Sequence, residues 1–385
     1  MDHEPVDDID RLVTELNASA PARPARSTRT DTTRLDGWLG VLAERAGSDL
    51  LLVAGAPPAV RIDSKVISLA AGPLDGVDIE DAVLPALQPH AQRLYREARI
   101  ADASYRIAGV GRFRINLHRE RGRAAAAIRL LPTKVPRLHS LGLPQSVELL
   151  AQLPRGLVLI GGPTGSGKTT TLAALVEEIN RRDARHVVTI EDPIEYEHQH
   201  LGSLIEQVEI GVDAPDFPTA LRAALRQAPD VIVVGEMRDQ ETMRIALAAA
   251  ETGHLVLSTV HTTDVASTVS RIADSFPAER QNTIRQEMAM ALAALMTQTL
   301  LPRQGGGLVP AAELLMIGYG ARQHIRRNAL QHLHQEITIT RRFGSISLEE
   351  SLARLVREGQ VEWRDAQARA VHTEEFEQLA PNLGA

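Results

Sequence analysis

The sequence predicts an α/β protein in two parts, a small α+β sheet domain followed by a larger, doubly wound parallel-sheet domain. Three observations carry that expectation. Four apolar runs in the second half, Gly156–Ile160, Val187–Ile190, Val231–Val234 and Leu255–Thr259, have strand length and read as continuous Val/Ile/Leu, the pattern of strands buried on both faces. Helical stretches or long connections lie between most of them, as alternating α/β order requires. In the first half the apolar runs are short and separated by turn residues, a hairpin pattern.

Length and composition agree. A chain of 385 residues has room for two or three domains. Apolar residues are 44% and charged residues 24%, ordinary globular values. Aromatics are only 3%, which argues against a stacking platform for single-stranded nucleic acid. With 42 Lys and Arg against 49 Asp and Glu the net charge is −7, so no global positive field attracts DNA or anionic lipid, although a local patch is compatible with it. The absence of cysteine excludes disulfides, iron–sulfur clusters and Cys-ligated zinc, and fits a reducing compartment. No run approaches the length of a membrane span, and the first 30 residues are acidic without an apolar signal core. A cytoplasmic chain is expected, touching membrane only through a partner.

In order along the chain, residues 1–34 read as a flexible tail. Ile9, Leu12, Val13 and Leu16 have helical spacing, a short amphipathic helix or nothing, and 18–34 are almost free of large apolar residues. Residues 35–132 form the first domain. Strands Leu50–Val53 and Ala59–Asp63 flank a Gly-Ala-Pro-Pro turn, and a helical run covers about Asp81–Glu97. Ala103–Ala108 and Gly111–Leu117 make a hairpin, with Ala125–Leu131 a further strand. Residues 133–144 are a linker, 145–302 the α/β core, 303–371 a helical C-terminal region with apolar spacing in Leu348–Leu355, and 372–385 a loose tail.

The strongest motif is Gly162-Pro163-Thr164-Gly165-Ser166-Gly167-Lys168-Thr169, a full Walker A P-loop after a strand and opening a helix, Thr170–Asn180. Glycines let successive backbone N–H groups curl around phosphates, and the helix N-terminus adds partial positive charge. Lys168 brings a point charge to the β/γ-phosphates and Thr169 a hydroxyl for Mg²⁺. A glycine-rich turn with a chance Lys-Thr is the bland alternative, and the strand–loop–helix context argues against it.

Ligands of open α/β sheets sit at the carboxyl ends of the strands. There Val231–Val234 runs into Glu236, Val187–Ile190 into Glu191, Asp192 and Glu195, and Leu255–Thr259 into His261. Each alone reads as a solvated strand-end charge. Three such ends beside an intact P-loop point to one phosphate site.

These residues fall in four boxes: the P-loop, TIEDPIEYEH (Thr189–His198), DVIVVGEMRD (Asp230–Asp239) and ETGHLVLSTVHTT (Glu251–Thr263). In that order they resemble the type IV pilus twitching-motility (retraction, PilT-like) ATPases of the type II/IV secretion ATPase superfamily. SDLLLVAGAPPAVRID (Ser48–Asp63) and GRFRINLHRERG (Gly111–Gly122) resemble that family's PAS-like N-terminal domain, so the likeness covers about Leu35–Val371. It implies a RecA-like P-loop ATPase core, ATP and Mg²⁺ as ligands, a homohexamer that powers pilus retraction, and an inner-membrane pilus platform protein as partner, with no nucleic acid. Phosphate binding is implied for residues 162–170 and Asp192, and Mg²⁺ contact for Thr169 and Glu236. Glu236 resembles the catalytic Walker B glutamate. Glu191, Asp192 and Glu195 resemble the carboxylates that orient Mg²⁺ or the attacking water, and His261 the γ-phosphate sensor, with His254 as its relay or structural partner. Arg112 and Arg114 resemble a basic strand that reaches a neighbouring subunit's nucleotide.

Within twelve residues Arg112, Arg114, Arg119, Arg121 and Arg123 also fit a solvated face or a nucleic-acid patch. On a strand, Arg112 and Arg114 share one side, which suits a single ligand. His198/His200 and His332/His334, each two residues apart, invite a metal reading, but that spacing diverges on a helix and they are expected as surface residues. The family's Gln-Arg-Glu run is Gln207-Val208-Glu209 here, its Arg-Glu-Asp-Pro-Asp run is Arg226-Gln227-Ala228-Pro229-Asp230, and its C-terminal Ala-Ile-Arg-Asn-Leu-Ile-Arg-Glu is Gly320–Arg327, in which the two arginines survive but Asn, Leu and Glu do not. A divergent member, of the accessory retraction type, is expected. Secretion and DNA-uptake relatives and a regulatory ATP-binding subunit with little turnover are the alternatives.

Overall fold

A computed structural model describes residues 31–63 and 65–381. The pattern at Ile9–Leu16 and most of the expected flexible tail lie outside the described residues. The described residues divide into two compact units, those up to 110 with 115–130, and 111–114 with those from 131 onward.

In the first unit, helix Thr33–Glu44 buries Leu35, Leu39 and Leu42, spaced four and three residues apart on one stripe. The sheet contains β1 (Asp49–Leu52), β2 (Ala59–Ile62), β3 (Lys65–Ser68), β4 (Ala101–Ile107), β5 (Gly111–Glu120) and β6 (Arg123–Leu131), in the order β3-β2-β1-β6-β5-β4. The single helix expected over Asp81–Glu97 is two, Gly76–Val83 and Pro89–Ala98. Pro85 and Pro89 lack the N–H that a continuous helix needs there. Asp75 closes a capping box at the start of the first.

The second unit is built on seven strands. These are β7 (Gly156–Gly161), β8 (His186–Glu191), β9 (Leu204–Glu209), β10 (Val231–Val234), β11 (Leu255–Val260), β12 (Leu292–Pro302) and β13 (Leu308–Met316), ordered β13-β12-β7-β11-β10-β8-β9. All pairings are parallel except β12–β13. Along β7, Leu157 and Leu159 enter one apolar cluster while Val158 and Ile160 enter another. The sheet is therefore covered on both faces, which is why its central strands read as unbroken apolar runs.

Three expectations are corrected here. The region beyond Pro302 is not helical from its start, because β13 runs back along β12, itself a strand made of the helix formers Leu, Ala, Met and Gln. Burial between two neighbouring strands overrides that propensity. Pro310 within β13 is tolerated because this strand is the outermost of the sheet. Residues 133–144 are more than a linker, since Leu138, in a short 3₁₀ turn, is buried against Val147 and Leu150. The tail expected to be loose contains helix Thr373–Leu379, anchored by the buried Phe376. Nearby, Trp363 Nε1 donates to Ala380 O at 2.7 Å. Among the described residues no helix is long and apolar enough to cross a membrane.

Candidate nucleotide site

The loop between β7 and helix Lys168–Arg182 places the glycines where backbone geometry demands them. Gly162, Gly165 and Gly167 have φ of +148°, +79° and +87°, a region costly for side-chain-bearing residues. A Cβ on Gly162 would collide with Ser166 Oγ and the carbonyl of Gln298. Lys168 opens the helix, its side chain nearly fully buried. Its Nζ donates to Gly162 O and Pro163 O, both at 2.9 Å. Burial holds its pKa below the ordinary lysine value, opposed by the charge of Glu236. An ammonium group with two donors spent on the loop and no carboxylate in hydrogen-bonding contact suits an incoming phosphate. Thr169 follows on the first helical turn, and Thr170 Oγ1 lies 3.1 Å from the hydroxyl of Tyr196.

The adjacency β7-β11-β10-β8 brings three strand ends beside this loop. Thr259 Oγ1 donates to Gly235 O at 2.6 Å, tying β11 to the turn after β10. His261 Nε2 then stands 3.2 Å from Glu236 Oε2, and Arg238 pairs with the other oxygen of that carboxylate. Next along, Gly235 N donates to Ile190 O at 2.8 Å. Glu191 is caged: it accepts from Thr189 Oγ1 at 2.7 Å, from Gln207 Nε2 at 3.3 Å and from the Glu195 backbone. Burial pushes its carboxyl pKa up, against those hydrogen bonds. Asp192 is exposed and Glu195 half-buried in the loop that follows. His254, expected as a relay, is occupied locally, with Nδ1 3.0 Å from Ala249 O.

The arginines separate into two groups. Arg112 lies in the stretch 111–114 that clusters with the second unit. Its Nη2 donates to Ile194 O at 3.0 Å, and its Nε is 3.1 Å from Glu197. The expectation that Arg112 reaches outward meets a side chain engaged by its own chain, with only the buried Nη1 lacking a partner among the described residues. Arg114 is half-buried two residues on. Arg119 pairs with Glu80 at 2.9 Å, and Arg121 and Arg123 pair with Glu120, surface ion pairs of little energetic weight. The histidine expectation is corrected at one position: the His198 side chain is buried, 3.8 Å from Glu177.

Three polar residues of this site were given no role from the sequence. Tyr196 sits inside a quoted box, and Gln207 entered only as the first residue of a run that departs from the family's. Gln298 lies in β12, in a run with no motif, yet its amide contacts both Ser166 and Thr171.

A family model described as type II/IV secretion system protein matches residues 112–377. The type IV pilus retraction ATPase PilT of Pseudomonas aeruginosa is 38% identical over 338 residues, covering 88% of this chain and 98% of that protein. A twitching motility protein of Neisseria gonorrhoeae is 38% identical over 323 residues, 84% of this chain and 86% of its own. Among solved structures, the pilus retraction motor PilT with bound ADP superimposes with a TM-score of 0.80 at 40% identity, covering 88% of this chain and 98% of that one.

Proposed function

The chain belongs to the type II/IV secretion system protein family, and from that premise we propose that this ATP-hydrolysing enzyme is the homohexameric motor of type IV pilus retraction. It works on the cytoplasmic side of an inner-membrane pilus platform protein. The observation that carries the reading is the convergence of Lys168, Glu236 and His261 at the ends of three neighbouring strands.

In this reading the phosphates of ATP lie along the backbone N–H groups of residues 164–169, with Lys168 bringing its charge to β and γ. Thr169 and Glu236 are hard oxygen donors that suit Mg²⁺, which when bound neutralises phosphate charge. Glu236 accepts a proton from the attacking water as its oxygen bonds to the γ-phosphorus and the β–γ bridging oxygen leaves with ADP. His261, bonded to Glu236, holds that carboxylate and senses the γ-phosphate. Glu191 and Glu195, locked together at the end of β8, orient the water with Asp192 beside them. Arg112 also braces this segment through Ile194 and Glu197, and the trans contact to a neighbour's nucleotide is assigned to Arg112 or Arg114.

The test mixes two variants. Arg112→Ala or Arg114→Ala binds ATP but fails its neighbour, and Lys168→Ala is inert but keeps its arginines. Each alone should lose about 10³-fold or more in turnover. Rings shown by native mass to be mixed should recover activity. Mixed rings as inactive as either parent would remove the trans role.

A further inference from the structure

Gln298 is the feature of the site that neither the motifs nor the family's boxes assign. It lies in the interior of β12 and is buried. The register pairs Thr297 with Gly161, so the next residue of β12 stands beside the first glycine of the P-loop. Its Nε2 donates to Ser166 O at 2.6 Å and its Oε1 accepts from Thr171 Oγ1 at 2.9 Å. The amide orientation is fixed by chemistry, because a backbone carbonyl accepts and never donates, so the NH₂ group must face Ser166.

Two glycines of the loop record the same contact from the other side. A Cβ at Gly162 would strike the backbone carbonyl of Gln298, and a Cβ at Gly167 would come within 3.1 Å of its Nε2. The loop is thus pressed against this one residue at both ends.

The consequence follows from peptide geometry. Ser166 C=O and Gly167 N–H belong to one planar unit and, in the trans form, point in opposite directions. Holding the carbonyl against the buried amide of Gln298 turns the Gly167 N–H the other way, toward the mouth of the loop, where a phosphate oxygen would accept from it. The second bond, to Thr171, ties that peptide to the first turn of the helix whose N-terminus faces the same place.

We propose that Gln298 is a positioning residue that pre-organises the P-loop amides for phosphate, so that it sets nucleotide affinity and leaves the hydrolytic step untouched. The proposal rests on the nucleotide-site reading above. A loop whose donors are already aimed loses less freedom on binding. Without the brace the Ser166–Gly167 peptide is free to rotate, and part of the binding energy is used to order it.

Gln298→Glu is the near-isosteric probe. The carboxylate still accepts from Thr171 but cannot donate to Ser166 O. Thr171→Ala removes the other bond and leaves the donor to Ser166 in place. Fluorescent ADP and ATP analogues, titrated by anisotropy against the full-length protein, give Kd, and steady-state turnover gives KM and kcat. For Gln298→Glu, affinity should fall about 10-fold or more, with KM rising in parallel and kcat at saturating ATP within about threefold of the parent. Thr171→Ala should give a smaller loss of the same kind. Hydrogen exchange would show faster exchange at residues 165–168 in Gln298→Glu and an unchanged rate in β10.

Unchanged Kd and loop exchange in a folded Gln298→Glu would overturn the proposal. So would a fall in kcat at constant KM, which would put Gln298 in the chemistry. If Gln298→Glu fails to fold, Thr171→Ala decides alone: full affinity and parental loop exchange there would end the idea. A parent protein that binds no nucleotide would instead remove the reading beneath it, an outcome distinct from parental binding matched by the variants.

Discussion

The two flanks of β7 differ in how they contribute to the site. On one side β11, β10 and β8 each run into a contiguous motif whose polar groups, His261, Glu236 and Glu191, the proposed function places at the nucleotide. On the other, β12 and β13 carry Thr297, Gln298 and Glu313, polar residues within largely apolar strands. Groups proposed to act on the ligand gather at the strand ends, where sequence neighbours are also spatial neighbours. The supporting groups act sideways across the sheet. Gln298 meets Ser166 across 132 positions of sequence, a contact defined only by strand register.

The largest expected effect separates the flanks most sharply. Lys168→Ala should abolish ATP turnover and leave the melting profile near that of the parent, because its ammonium bonds the P-loop carbonyls of Gly162 and Pro163 and its side chain belongs to no apolar cluster. A variant that turns over ATP at the parental rate would dissolve the site. On the same flank, Glu236→Gln keeps the shape and removes the charge. Turnover should fall about 10²–10⁴-fold while ATP still binds. A loss of less than about threefold would move the base to Glu191 or Glu195.

How far the molecule was legible follows the same division. β7, β8, β10 and β11 were legible because strands sandwiched between two apolar clusters show it in every residue. β12 was not, since LAALMTQTLLP obeys helix propensity and only its neighbours make it a strand. The placement of the P-loop, Glu236 and His261 at neighbouring strand ends was legible as local pattern. The engagement of Arg112 by Ile194 and Glu197 was not, because a strand pattern tells which side a residue faces and not what waits there. Nor was the burial of His198, whose polar and charged neighbours Glu195, Glu197, Gln199 and His200 read as surface. The terminal helix was missed because its only large core residue is Phe376, one anchor among polar residues and no periodic stripe.

That anchor supplies the next effect in size. Phe376 is wholly buried with Leu352, Leu355 and Val361, its ring 5.8 Å from that of Trp363. Phe376→Ala should cost about 3–5 kcal/mol, the range for deleting a buried aromatic, read from urea unfolding. Trp363 emission should shift to the red as its packing loosens. A change under about 1 kcal/mol would mean that the tail contributes little to the fold, as its composition alone suggests. ATP affinity should not change, because the lesion lies on the supporting flank and away from the β12 contact to the P-loop.

The smallest effect concerns Glu313, the buried carboxyl of β13. It accepts from Val265 N at 3.1 Å and from Thr297 Oγ1 at 3.4 Å. Burial, reinforced by the charges of Asp264 and Glu349, raises its pKa to about 7, against the pull of the Val265 hydrogen bond and His334. The folded chain therefore holds this proton to higher pH than the unfolded chain does. Its contribution to stability is complete below the ordinary glutamate range and is lost as pH rises through about 7. Ionising it in place costs up to about 3 kcal/mol. Glu313→Gln keeps an acceptor for Val265 and cannot ionise, so the variant should gain on the parent by about 1–3 kcal/mol between pH 5 and pH 8. Urea midpoints at pH 5, 6, 7 and 8 measure that gap. A gap constant with pH would mean that Glu313 is ionised throughout, held as a carboxylate by the helix N-terminus at Val265, and the supporting flank would then carry a fixed charge as the reactive flank does.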